Sequence, residues 1–380
     1  MKRIFAFAAV VLFAFLTTSF AQSNSSTRTE QIKEYSEGVW DAVIINTQYP
    51  KNVIFIVGDG MGTAQVYASI IAQGEKSQFL RFPFSGFSRT YSNNKYTTDS
   101  GAGGSALMTG HKVNNYTIAQ SPEGTPYSTF YDYARKEKGK STGFVCSCSM
   151  VDATPASTYG HVPDRHMNEE LSLQMSQCGH SVMIGADQKI FLPEGRKDGT
   201  SPIDTLKQRG YSVVSTMKEL KKIHSGKVCA MLSENDAPGD AKQRKYWLVD
   251  GTKKAIELLN QNPNGFCLMV EGSQIDWACH NNDTPYLQTE LDEFEQMLKV
   301  VLDFAEKDGN TLVVVTADHE TGGLALTNGD IKKGESECKF TTGSHSGVMV
   351  PVFSYGLGAH EFSGIQQNTD FYNKIVNLIK

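Results

Sequence analysis

The sequence predicts an α/β fold, a three-layer αβα sandwich around a mostly parallel central sheet. Three observations carry the prediction. Short, continuous apolar runs rich in β-branched residues recur along the chain, as in strands buried on both faces. Amphipathic stretches of helical period lie between several of them. Acids follow directly after several of the runs, at the edge where open α/β sheets bind ligands. At 380 residues, with 39% apolar and 20% charged side chains, the chain can build one large core, and no linker divides it.

The elements follow in order. "MKRIFAFAAVVLFAFLTTSFA", residues 1–21, reads as a secretory signal peptide. Lys2 and Arg3 precede an apolar run from Ile4 to Leu16, and Ser19-Phe20-Ala21 is a small-x-small cleavage pattern. That run is short for a membrane span, and no cysteine follows the cleavage point to take a lipid. The mature chain, 22–380, is expected as a single domain, exported to the periplasm or secreted. Residues 22–50 predict a lead-in helix. "NVIFIV" (52–57) is the first strand. Similar runs stand at 143–151, 181–186, 228–232, 266–270, 311–317 and 350–356. The clearest helices are 128–139 and 284–309, the latter ending on a glycine.

A net charge of -5 without a Lys/Arg run gives no footprint for nucleic acid. The seven cysteines are an odd number, so an exported chain leaves at least one thiol unpaired. Cys146, Cys229 and Cys267 sit in apolar runs and read as buried small hydrophobes.

Four strand ends deliver an acid to one edge: Asp59 after Val57, Asp152 after Val151, Glu271 after Val270, and Asp318 after Ala317. Converging carboxylates repel unless a counter-charge intervenes, and metal cations supply one. Asp276 and His280 are four apart and share a helix face. Asp318 and His319 are adjacent, and His345 lies in a Gly/Ser loop. Imidazoles with carboxylates suit zinc. Asp59, Glu271 and the Thr154 hydroxyl offer oxygen only, which suits magnesium. Two zinc ions with one magnesium beside them would neutralise the acids. The other histidines, 111, 161, 166, 180, 224 and 360, lack this company and read as surface or core. "TTDSGAGGS" (97–105) places Asp99 as a helix cap and Ser100 at the helix start. The glycines that follow leave room for close packing and for a ligand.

These segments resemble the alkaline phosphatase family. "VIFIVGDGMG", "TTDSGAGGSALMTG", "DATPAS", "VEGSQIDWACH", "TADHETGG" and "GSHSG" occur in the family's order over roughly 50–357. The resemblance implies hydrolysis of small phosphate monoesters to alcohol and inorganic phosphate through a covalent phosphoserine on Ser100. It implies one zinc on Asp59, Asp318, His319 and Ser100, and a second on Asp276, His280 and His345. Thr154 and Glu271 would join Asp59 on magnesium. Asp152 would stand behind the magnesium, and Arg165 in "HVPDRHM" would clamp phosphate. Trp277 occupies a position that varies in the family. A tryptophan cannot make a charged, water-mediated contact to phosphate, which leaves the ion preference of the third site open. A homodimer is a family tendency.

Two rival readings have discriminators. A related phosphodiesterase would keep two metals without the oxygen-only third site, so Thr154 with Glu271 favours a monoesterase. A non-catalytic exported metal- or phosphate-binding protein would have no need of Ser100.

Overall fold

The structure is a computed structural model that describes residues 49–379; the expected signal peptide and all of the expected lead-in helix but residues 49 and 50, which are not helical, lie outside them. The strands are β1 (Asn52–Gly58), β2 (Phe84–Arg89), β3 (Ser141–Ser149), β4 (Val182–Ala186), β5 (Tyr211–Val214), β6 (Lys227–Met231), β7 (Phe266–Gly272), β8 (Thr311–Thr316), β9 (Glu320–Thr321), β10 (Leu324–Asp330), β11 (Glu335–Phe340), β12 (His345–Ser346), β13 (Val350–Gly356) and β14 (Gly364–Gln367). The α-helices are α1 (Thr63–Gln73), α2 (Ser100–Thr109), α3 (Phe130–Lys138), α4 (Ala153–Ala156), α5 (Asn168–Gln177), α6 (Pro202–Gln208), α7 (Met217–Leu220), α8 (Trp247–Leu259), α9 (Gln274–His280), α10 (Thr284–Asp308) and α11 (Asp370–Leu378).

Ten strands form one sheet in the order β14-β2-β13-β8-β1-β7-β3-β4-β6-β5. All neighbours pair in parallel except at β13, which runs antiparallel to both β2 and β8. The apolar runs occupy the centre because both their faces are covered. In β1, Val53, Phe55 and Val57 point into one core and Ile54 and Ile56 into the other. The first core is closed by α2, α3, α5 and α11, the second by α1, α8 and α10. The expected three-layer sandwich is therefore present.

α10 shows how the sequence specifies one layer. The Asp283 side chain accepts the Tyr286 amide, Pro285 sits in the first turn, and Gly309 ends the helix in the left-handed region (φ 69°). Its buried stripe includes Leu291, Phe294, Met297, Leu298 and Val301. Each such side chain contributes about 1.5–3 kcal/mol on burial, far more than helix propensity provides. At the site, β8, β1, β7 and β3 are neighbours. Val57 lies level with both Glu271 and Thr316, so these central strands finish together. A two-residue antiparallel ladder pairs β9 with β12, His345 opposite Thr321 and Ser346 opposite Glu320. The hairpin β10–β11 fills the chain between them.

Candidate metal centre

The level strand ends bring the predicted acids together. Asp59 follows β1, Glu271 belongs to β7, Asp152 caps α4 just beyond β3, and Asp318 follows β8. Ser100 enters from α2, whose cap is Asp99: its carboxylate accepts the amides of Gly101 and Ala102. α2 lies against the strand ends because it carries glycine where they meet it. A side chain at Gly103 would start 3.0 Å from Asp318, and one at Gly104 would start 2.6 Å from Ser157 Oγ. Ser105, the other serine of the motif, donates to the Gly101 carbonyl at 2.6 Å and accepts the Ala119 amide at 2.8 Å, so it is structural.

One group of donors converges on His319 Nε2. Ser100 Oγ lies 3.2 Å away, Asp318 Oδ2 3.2 Å and Asp59 Oδ1 3.4 Å. Asp59 Oδ1 and Asp318 Oδ2 are buried without a hydrogen-bond partner. Burial pushes the Asp59 carboxyl well up, and Asp318 adds to it. Burial, then Asp276, pushes Asp318 up to about 6, and burial takes His319 down to about 4. Two carboxylates, an imidazole and a hydroxyl around one point are a donor set for zinc.

The second group is Asp276, His280 and His345. As expected from the four-residue spacing, His280 Nε2 lies 3.3 Å from Asp276 Oδ2 on α9. His345 Nε2 lies 3.1 Å from His280 Nε2 and 3.6 Å from Asp276 Oδ1. Both histidines turn Nδ1 to a backbone carbonyl, His280 to Gly343 at 2.8 Å and His345 to Thr98 at 2.9 Å. A carbonyl only accepts, so Nδ1 carries the proton and each neutral ring presents a bare Nε2 lone pair. Two such nitrogens 3.1 Å apart need a proton or a metal between them. The hydrogen bond to Asp276 raises His280 to about 9. Asp276 in turn is held down to about 2 against its burial by His280 and the facing His319 and His345.

The third group is Glu271, Thr154 and Asp59. Burial, then Asp152, pushes Glu271 up to about 8. Thr154 Oγ1 is buried with no hydrogen-bond partner. This orphaned hydroxyl beside a carboxylate reluctant to ionise suits a hard cation.

Arg165 stands at the rim, with Nη2 2.7 Å from Asp152 Oδ1 and Nη1 3.3 Å from Asp99 Oδ2. Asp152 pairs with Arg165 and also acts on the Glu271 carboxyl. Trp277 is half-buried against the first core. Thr321 was not singled out from the sequence. Its hydroxyl donates to Asp276 Oδ1 at 2.5 Å and lies 3.2 Å from His319 Nδ1, joining the first two groups. It lay inside "TADHETGG", where no charge or titratable group marked it. Tyr116 was missed as well: its amide donates to Asp99 and its carbonyl accepts the Arg165 amide, at a left-handed φ of 72°. All seven cysteines are free thiols. Cys146, Cys229 and Cys267 are buried as expected.

Residues 50–337 match the family model described as alkaline phosphatase. Alkaline phosphatase 4 of Bacillus subtilis is 31% identical over 415 residues, covering 87% of this chain and 89% of that protein. The alkaline phosphatase of the Antarctic bacterium TAB5 aligns in structure with a TM-score of 0.82 and 32% identity, over 87% of this chain and 99% of that one. A variant of the TAB5 enzyme has magnesium bound in its M3 site.

Proposed function

Because the chain belongs to the alkaline phosphatase family, we propose that Ser100 is the serine that takes the phosphoryl group and Arg165 the side chain that grips it. The activity itself is that of the family: hydrolysis of phosphate monoesters to an alcohol and inorganic phosphate through a covalent phosphoserine. The observation that carries the assignment is the convergence of Ser100 Oγ, Asp59 and Asp318 on His319 Nε2.

Asp59, Asp318 and His319 would hold one zinc, and Asp276, His280 and His345 a second. Asp59, Thr154 and Glu271 would hold magnesium, giving two zinc ions and one magnesium per chain. Bound there, these ions supply Lewis-acid charge that favours the serine alkoxide and stabilises the departing oxygen. The residues do the rest. The Asp99 cap fixes Ser100 at the start of α2 by accepting the Gly101 and Ala102 amides. Ser100 Oγ attacks phosphorus in line. The serine O–P bond forms, the ester P–O bond breaks, and the leaving alcohol takes a proton. Water then attacks the same phosphorus and returns Ser100. Arg165 binds two non-bridging oxygens in fork geometry, and Asp152 and Asp99 orient it beforehand. Trp277 has no charge to offer phosphate.

Export through the leader at 1–21, a single catalytic domain over 22–380 and pairing as a homodimer belong to the same reading. No helix among the described residues is long and apolar enough to cross a membrane.

The test is Ser100→Ala, assayed on p-nitrophenyl phosphate with zinc and magnesium content measured in parallel. Turnover should fall at least ~10³-fold, the scale on which loss of a nucleophile acts, with the magnesium retained. Turnover equal to the parent's would remove Ser100 from the mechanism.

A further inference from the structure

The carboxylate assigned to magnesium has a second neighbourhood, made of sulfur. Cys146 stands opposite Glu271 in the β3–β7 ladder. Cys148, two residues on, projects from the same face, and its Sγ lies 3.5 Å from Glu271 Oε2. Ser147 points the other way, where its hydroxyl accepts the Ser273 amide. One donor atom from each of Cys146, Cys148 and Glu271 lies within 4.8 Å of the other two, and all three residues are buried. The Cys146 sulfur has its place because β4 carries glycine there: a side chain at Gly185 would start 2.7 Å from it. On the oxygen side of the same carboxylate, Thr154 Oγ1 has no partner.

The two sides differ in the cation they favour. Thiols with one carboxylate select thiophilic ions such as zinc or cadmium, whereas magnesium takes oxygen donors. Three protein donors also leave a position open for a further ligand. We propose that Glu271 is shared between two mutually exclusive sites: an oxygen site with Asp59 and Thr154 for magnesium, and a sulfur site with Cys146 and Cys148 for a thiophilic divalent cation. The proposal rests on the magnesium assignment made above. Each sulfur that coordinates gives its proton to solvent. A thiophilic ion entering from the β3 side takes away the carboxylate on which magnesium depends. The third site thereby becomes sensitive to the ratio of soft to hard cations.

The experiment titrates the zinc- and magnesium-loaded enzyme with cadmium alone, following ultraviolet sulfur-to-cadmium charge transfer and released magnesium together. The band should grow as magnesium leaves, and excess magnesium should shift the titration to higher cadmium. The band should disappear in the double variant Cys146→Ser/Cys148→Ser. The milder Cys148→Ser alone should lose at least half of it. A band that persists in the double variant, or one that grows while magnesium stays bound, overturns the shared site. An enzyme that carries no magnesium at the outset overturns instead the assignment on which the proposal rests.

Discussion

Two parts of this molecule bury carboxylates, and they do it in opposite ways. On α10, Glu290 and Glu293 are sealed from solvent, and each accepts from Arg244 Nη2, at 2.6 and 2.7 Å. Glu293 also accepts the Leu248 amide. At the strand ends, Asp59, Glu271 and Asp318 are equally buried, yet Arg165 reaches only Asp152 and Asp99 at the rim. The α10 acids bring their cation in the sequence. Glu290 Oε1 is left without a hydrogen bond, yet Arg244 stands on the same carboxylate. Asp59 Oδ1 and Asp318 Oδ2 are left without one and, among the described residues, with no Arg or Lys beside them, so they depend on a cation from outside. A buried acid with an internal counter-ion is architecture. A buried acid without one is a request for a ligand, and this difference separates the two clusters better than burial does.

The contrast breaks first at Arg244. Arg244→Met leaves two buried carboxylates unpaired and should lower unfolding stability by about 3–5 kcal/mol. Denaturant midpoints should drop equally with metals loaded or stripped. Replacing Arg244, Glu290 and Glu293 together by apolar side chains should recover most of the loss. A single-variant loss too small to resolve would mean that the ion pairs are incidental.

At the strand ends the sign should reverse. Asp318→Asn removes a charge that burial and Asp276 already disfavour. In chelator-stripped protein it should raise stability, on the order of 1–3 kcal/mol, while abolishing turnover in loaded protein. A lower midpoint in the stripped variant would place the strand-end acids with the α10 pair, as architecture.

His180 gives the smallest effect and a third solution to burial, staying neutral. It is fully enclosed, with Nδ1 2.9 Å from Thr142 Oγ1 and Nε2 3.2 Å from Thr158 Oγ1, and burial takes its pKa down to about 4. The unfolded chain therefore binds more protons than the folded one between about pH 6.5 and the folded value. Stability is complete above that window and is lost as pH falls through it, by about 1.4 kcal/mol at roughly pH 5.5. His180→Gln should flatten this part of the pH–stability curve, and an unchanged slope would assign the loss to other groups.

The sequence carried the central layer well, because strands buried on both faces need continuous apolar runs and little else can use them. The run at 52–57 and the helix at 284–309 fell within a residue or so of β1 and α10. β2, "FSGFSR", was missed: near the sheet edge its burial alternates, so it never reads as an apolar block. The reversal of β13 was invisible because an apolar run carries no direction. At the site, charge and imidazole made Asp59, Glu271, Asp276, His280, Asp318, His319 and His345 legible. Thr321 and Tyr116 act through a hydroxyl and a backbone turn, and neither leaves a mark in composition. Cys148 was passed over because its relation to Glu271 depends on strand register, which only the fold supplies.

The short ladder between β9 and β12 has an evolutionary consequence. His345 is located by that pairing and by its bond to the Thr98 carbonyl, while the whole excursion from Leu324 to Phe340 leaves and returns beside it. The hairpin is thus a closed detour whose tip, around the exposed Ile331, can lengthen, shrink or accept a graft while the distance spanned at its base stays fixed. Insertions at Ile331 can therefore vary the periphery while His345 keeps its place.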